Sequence, residues 1–387
     1  MKIVYAHNWF LDYRIPVFEE LKKVTDDNFY VLYNKNNVPL RIHEKLKIIL
    51  GDKAIAFIDE KKIVIGNEKK SGDFANKVIK ISYQPGLYRQ IKNLKPDVLI
   101  GEGFFRWGLT NLIYRAFNNT KYVMLYERTK HTERNAKKII TYIRKLVMRY
   151  IDGINCNGIQ CKEYITSLGY DEERITEKHM VADTQSITTS IENLTKEDQE
   201  IFKDDLVLKG KILLYCGQMV QRKGVKEILA GWELFKKKTN EPTTLLLIGD
   251  GPDLEVFKNI ASHLDDVKFL KKVDFDIIYK YFAIADVFVI LTLEDNGSIV
   301  MPEAMSAGLP IITSIYNGNY PEYITKDNGW VVNPNNAKEV SDIFIEAITK
   351  CDLVKMGKKS KDIVEGFTPK IAAEHIYTSC KKAYYDN

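Results

Sequence analysis

Glycines set beside charged residues recur in this sequence at spacings that suit a phosphorylated ligand. In residues 215–225 (YCGQMVQRKGV) an apolar run ends, Gly217 permits a close backbone turn before Gln218, and the pair Arg222-Lys223 precedes a helical pattern. Backbone N–H groups, a helix dipole and two cations then converge where an anion would lie, which suits a leaving diphosphate whose charge grows as its bond breaks. Residues 247–252 (LIGDGP) place Gly249, Asp250 and Gly251 between an apolar run and a proline at a helix start, a turn fit for phosphate or ribose. Residues 293–310 (LEDNGSIVMPEAMSAGLP) carry the strongest pattern. There Asn296, Gly297, Ser298 and Ile299 offer backbone amides at a helix start, with Asp295 on the loop and Glu303 within the helix. Paired carboxylate oxygens suit neighbouring hydroxyls, because each oxygen accepts a hydrogen bond. A fourth loop, 125–135 (LYERTKHTERN), sets Glu127, Arg128 and His131 after an apolar strand, and Arg14 in the early loop 8–16 is placed to reach a cleft.

The elements that must position these loops alternate along the whole chain. Strand-like runs fall at 2–7, 28–33, 97–101, 122–127 and 153–156, then at 212–216, 244–248, 267–270, 286–291, 310–314 and 329–332. Helical patterns lie between most of them, among them 134–150, 225–238 and 301–307. Continuous apolar strands alternating with helices predict doubly wound α/β sheets covered on both faces. The polar stretch before residue 211 divides the chain into an N-terminal domain, 1–190 with about 367–387, and a C-terminal domain, 191–366.

Composition narrows the class. The chain has 387 residues, 45% of them hydrophobic and 28% charged, ordinary for globular domains. Five scattered cysteines form no metal or disulfide framework and suit a reducing compartment. No apolar run reaches the roughly 18 residues of a membrane span, and the first residues lead straight into a strand, so a cytoplasmic protein is expected. Residues 1–185 carry about +10 and the rest about −5. The excess peaks at Arg134, Lys137, Lys138, Arg144, Lys145 and Arg149, without a nucleic-acid-binding motif. With Ile139, Ile140, Ile143, Leu146 and Val147 packed inward at helical spacing, the basic side would meet an anionic membrane surface, giving weak peripheral attachment at the inner face of the membrane.

The three loops of the second half occur in the order, and with the residues, of family 4 of the retaining glycosyltransferases, which this sequence resembles: a glycine-basic loop with K-G, a G-D-G-P turn, and an acidic residue running into EAM-x-x-G-x-P. The resemblance covers most of 210–384 and implies the GT-B fold: two facing, Rossmann-like, doubly wound domains with the last helix, about 369–385, crossing back to the first. It implies a nucleotide-sugar donor held by the second domain and a glycan or lipid-linked acceptor on the first, as in the building of bacterial surface polysaccharides. By the same resemblance Lys223, with Arg222, holds the donor pyrophosphate, Glu303 binds the nucleotide ribose, and Asp295 takes the place of a glutamate that contacts the transferred sugar. Glu127, Arg128 and His131 compete for the acceptor side, near where the family often has a histidine. Gln218 departs from the arginine many members carry there. The basic pair stands in for a metal, so neither metal nor cofactor is expected. Two other readings stand beside this one: a nonhydrolysing nucleotide-sugar epimerase, which shares the fold, and a two-lobed sugar-binding protein without catalysis.

Overall fold

The computed structural model describes residues 1–65 and 79–385, and the apolar runs become strands of two parallel sheets. The described residues divide into two compact units, one of 1–65, 79–181 and 369–385, the other of 182–368. In the first unit the strands are β1 (Ile3–Ala6), β2 (Phe29–Asn34), β3 (Ala54–Phe57), β4 (Lys61–Ile65), β5 (Ile79–Tyr83), β6 (Val98–Glu102), β7 (Lys121–Tyr126), β8 (Gly153–Cys156) and β9 (Ile175–Glu177). Seven form one sheet in the order β3-β2-β1-β6-β7-β8-β9, with every pair parallel. β4 and β5 make a separate antiparallel hairpin. Connections run outward from β1 to one side and from β6 to the other, so the order reverses between them. At such a switch point the loops part, and ligands lodge beyond the carboxyl ends of the strands.

The second unit repeats this plan with β10 (Lys211–Cys216), β11 (Thr243–Ile248), β12 (Val267–Leu270), β13 (Val287–Ile290), β14 (Ile311–Ser314) and β15 (Gly329–Val332). Their order is β12-β11-β10-β13-β14-β15, again parallel. Here the switch point lies between β10 and β13. Leu213, Leu214, Leu246 and Phe288 are fully buried, as strands covered on both faces require.

The last helix, Pro369–Tyr385, packs within the first unit against the helix Arg14–Val24 and against β8. Its buried face is made mainly of small residues (Ala372, Ala373, Ser379, Ala383), with Ile376 and Cys380. Small side chains allow a near approach: a Cβ added to Gly153 of β8 would lie 3.3 Å from Ser379 Oγ.

The basic helix is shorter than expected, Lys138–Met148, and turned differently. Its buried residues are Ile140, Arg144 and Met148, one position per turn. Arg144 is drawn inward by the buried Glu133, to whose Oε2 its Nη1 lies at 2.5 Å, and its guanidinium rests 5.7 Å from the Phe104 ring. Ile139, Tyr142, Ile143 and Leu146 are left exposed among Lys138, Lys145 and Arg149. Ile140 packs inward as expected, but the expectation that Ile139, Ile143 and Leu146 do so while Arg144 faces out is corrected. A buried carboxylate needs a cation more than the unit needs another aliphatic contact. Among the described residues no helix is long and apolar enough to cross a membrane.

Candidate functional site

The loops that leave β10, β11 and β13 are fitted to one another backbone on backbone, and glycine is what allows it. Gly249 follows β11 at φ 153°, and a Cβ there would fall 1.8 Å from the Gly217 carbonyl oxygen. One on Gly251 would fall 2.4 Å from the Met219 carbonyl oxygen. Hydrogen bonds close the same seam: Gly217 N–H to the Ile248 carbonyl (3.0 Å) and Met219 N–H to the Asp250 carbonyl (2.9 Å). On the other side Gly224, at φ 73°, abuts the Leu291 carbonyl at the end of β13. The Arg222 carbonyl accepts from Leu293 N–H at 2.8 Å and from the Thr292 hydroxyl at 2.9 Å. The turn that carries Arg222 and Lys223 is thus locked to the loop that carries Asp295, at the switch point of this sheet.

Lys223 and Asp295 form an ion pair, with side chains only 14% and 11% exposed. Burial would raise the Asp295 carboxyl, but Lys223, with help from Arg222 and the Gly297 N–H, holds it below the usual carboxylate value. Arg222 Nη2 donates to the Gln218 side-chain oxygen at 3.2 Å. Glu303 lies on the helix Val300–Ser306, its N–H donating to the Ile299 carbonyl at 3.4 Å. Burial, and then the charge of Glu303, push the Cys216 thiol at the end of β10 up to about 12, and the helix that carries Glu303 packs against β13 and β14. The structure therefore gathers Gly217, Gln218, Arg222, Lys223, Gly249, Asp250, Gly251, Asp295, Asn296, Gly297, Ser298, Ile299 and Glu303 around the ends of β10, β11 and β13.

Two amides assigned to a ligand have protein partners. Gly297 N–H donates to Asp295 Oδ1 at 3.3 Å. Ser298 N–H donates to the side-chain oxygens of Asn317 (3.3 Å) and Asn319 (3.2 Å). Both asparagines are buried in the loop after β14 and were not singled out from sequence. Asn319 returns a bond to the Ser298 carbonyl at 3.3 Å, so the pair fixes the loop that carries Asp295. Their N-x-N spacing after a strand was the available signal.

In the first unit the candidates separate. Arg14 does not reach a cleft: its side chain is 1% exposed, with Nη2 2.7 Å from Glu102 Oε1 and Nη1 donating to the His179 carbonyl at 2.7 Å. Burial alone would lower its pKa, yet Glu102 raises it well above the ordinary value, so it is a permanent cation of the core. Glu127, Arg128 and His131 follow β7 and are half-buried. Arg128 Nη1 lies 3.1 Å from Glu133 Oε1, and the His131 carbonyl accepts from Arg134 Nη1 at 2.6 Å.

Comparison with known proteins bears on both units. Residues 196–363 match the family Glycosyl transferases group 1. Among relatives, N-acetyl-alpha-D-glucosaminyl L-malate synthase of Bacillus anthracis is 26% identical over 244 residues, covering 59% of this chain and 61% of that protein. Alpha-monoglucosyldiacylglycerol synthase of Acholeplasma laidlawii is 24% identical over 203 residues, 50% of this chain and 48% of that one. The matched region thus spans less than two thirds of either relative. Among solved structures, Anabaena Alr3699/HepE with UDP superposes with a TM-score of 0.76 at 13% identity, covering 99% of this chain and 100% of that one. A glycosyltransferase from Rickettsia africae does so with a TM-score of 0.74 at 13% identity, covering 100% and 99%. These structural likenesses bear on the fold, which is GT-B.

Proposed function

We propose, from the match of residues 196–363 to the family Glycosyl transferases group 1, that the chain moves a sugar from a nucleotide-sugar donor to an acceptor hydroxyl, retaining the anomeric configuration. The observation that carries this is the Lys223–Asp295 pair locked at the switch point of the second sheet, with Arg222 near enough to act on the Asp295 carboxyl. The donor diphosphate would lie against Arg222 and Lys223, whose fixed charges are worth most where charge develops in the transition state. Lys223 carries three N–H donors and gives one to Asp295, leaving two for phosphate oxygens. Asp295 would orient Lys223 and meet hydroxyls of the transferred sugar. Glu303 would accept from the ribose diol. That Alr3699/HepE has been solved with UDP-glucose supports a uridine donor here.

In this scheme the acceptor hydroxyl attacks from the face the leaving group quits, and its proton passes to the departing diphosphate. No enzyme nucleophile is needed, and the two cations take the place of a divalent metal. The acceptor would be a glycan or a lipid-linked glycan of a surface polymer; the Acholeplasma relative, named for a lipid product, supports a lipid. Glu127, Arg128 and His131 would serve the acceptor side. The reading places the protein in the cytoplasm, touching an anionic membrane through the helix Lys138–Met148.

Proton NMR of product made with EDTA present tests the reading. From a donor of known configuration the anomeric coupling should be unchanged in the product. An inverted linkage, or activity seen only after magnesium or manganese is added, would contradict it.

A further inference from the structure

The switch point of the first sheet holds a cluster that the proposed chemistry leaves unused. β1 ends at Ala6 and is followed by His7, Asn8 and Trp9; β6 ends at Glu102 and is followed by the loop that carries Arg106. His7 and Asn8 are only 2% and 4% exposed. Asn8 Nδ2 donates to Glu60 Oε1 at 2.9 Å, and a carboxylate accepts only, so the amide cannot be turned over. Its Oδ1 is thereby left buried without a donor. Trp9 Nε1 and His7 Nδ1 are likewise buried without partners, and the two rings lie 6.5 Å apart. Native proteins rarely leave three such atoms together unless a ligand or water completes them.

Arg106 completes the cluster. Its guanidinium lies 5.3 Å from the centre of the Trp9 ring. Among the described residues it has neither a hydrogen bond nor a carboxylate within ion-pairing distance. The nearby carboxylates are engaged elsewhere: Glu102 with Arg14 and the Tyr5 hydroxyl, Glu60 with Lys62 and with Asn8, Asn37 and Trp107. Glu127 is partnered too. Burial, and then the charge of Arg128, set the Arg106 pKa below its ordinary value even though Glu102, Glu60 and Glu127 favour the cation. Its backbone is left-handed, at φ 63°, a conformation side-chain-bearing residues rarely hold without a reason. An under-compensated guanidinium beside one orphan acceptor, one orphan donor and one imidazole nitrogen fits a ligand that is both anionic and hydroxylated.

We infer that this cluster is an acceptor subsite, with Arg106 binding a carboxylate or phosphate carried near the hydroxyl to be glycosylated, and with Asn8, Trp9 and His7 receiving the hydroxyl groups. The inference rests on the transferase reading for the word acceptor, but the binding itself does not depend on it.

Three probes on one three-carbon skeleton, two of them anionic, test it: glycerate, glycerol 3-phosphate and glycerol, each titrated into the full chain by ligand-observed NMR, with UDP titrated separately. At least one anionic probe should bind ten times more tightly than glycerol, and which one does so tells a carboxylic acceptor from a phosphorylated one. Arg106→Gln should abolish the preference, while Trp9→Phe, which keeps the ring and removes the N–H, should weaken binding three- to tenfold. Glycerol binding as well as both anions would overturn the inference, as would an unchanged preference in well-folded Arg106→Gln. If Arg106→Gln does not fold, Trp9→Phe decides, and unweakened binding there overturns it. Failure of UDP to bind the wild type would count against the transferase reading instead, and an anion preference surviving that failure would leave the subsite standing.

Discussion

Asp295 shows how much a single side chain is asked to do. Removed from water, it stays ionised because Lys223 touches it, and Lys223 stays tolerably placed for the same reason. Its folded pKa is depressed, so its stabilising effect is complete above the ordinary carboxylate range and is lost as pH falls through the folded value. Asp295→Asn leaves a mostly buried ammonium without its counter-charge and should cost up to about 3 kcal/mol of stability in the ligand-free protein. A bound diphosphate replaces the missing charge, so UDP should raise the variant's melting temperature more than the wild type's. Equal shifts in the two would show that Lys223 does not face the diphosphate. At this scale much of the second unit's site was legible, because glycine and charge sit on loops, where types and spacing are set by what the backbone must do. Arg14 was misread for the converse reason. Nothing local distinguishes an arginine aimed at solvent from one buried on Glu102, a partner far away in sequence.

At the scale of elements, buried parallel strands announce themselves as apolar runs, and each run named from sequence became a strand. The missed strands are short or half polar: β3 is Ala-Ile-Ala-Phe, and β9 is Ile-Thr-Glu. The helix Lys138–Met148 was harder, because its orientation depends on Glu133 outside the helix. Its outer face combines Ile139, Tyr142, Ile143 and Leu146 with Lys138, Lys145 and Arg149, the make-up of a helix that lies in a membrane interface. Each basic residue near an anionic surface is worth about 1 kcal/mol. Burying the aliphatic residues adds more. Wild type should therefore sediment with anionic vesicles at low salt and keep part of that binding as salt rises. The double variant Ile143→Asp, Leu146→Asp should lose it while its transfer to a soluble acceptor is preserved. Wild-type indifference to anionic vesicles at low salt would exclude this face as a membrane contact.

Across the whole molecule the two sheets share one plan, and each assembles its polar groups at its own switch point. The first unit also carries two buried histidines. Burial lowers the pKa of His7 to about 4 and that of His179 to about 3, against 6.5 for an ordinary imidazole. Both are neutral when folded, while the unfolded chain takes up protons as pH falls below 6.5. Stability is therefore lost on acidification, by up to about 1.4 kcal/mol per pH unit for each histidine. Calorimetry from pH 7 to pH 5 should show a falling transition for the first unit, with a shallower fall in His179→Phe; identical profiles would contradict the assignment. The central claim, that the second unit holds a nucleoside diphosphate on Lys223 and Arg222, is tested most directly by calorimetric titration of UDP in EDTA, comparing wild type with Lys223→Ala. Charged hydrogen bonds of this kind contribute about 1.5–3 kcal/mol, so the variant should bind at least tenfold more weakly. UDP bound equally well by the two, or by neither, would contradict the account.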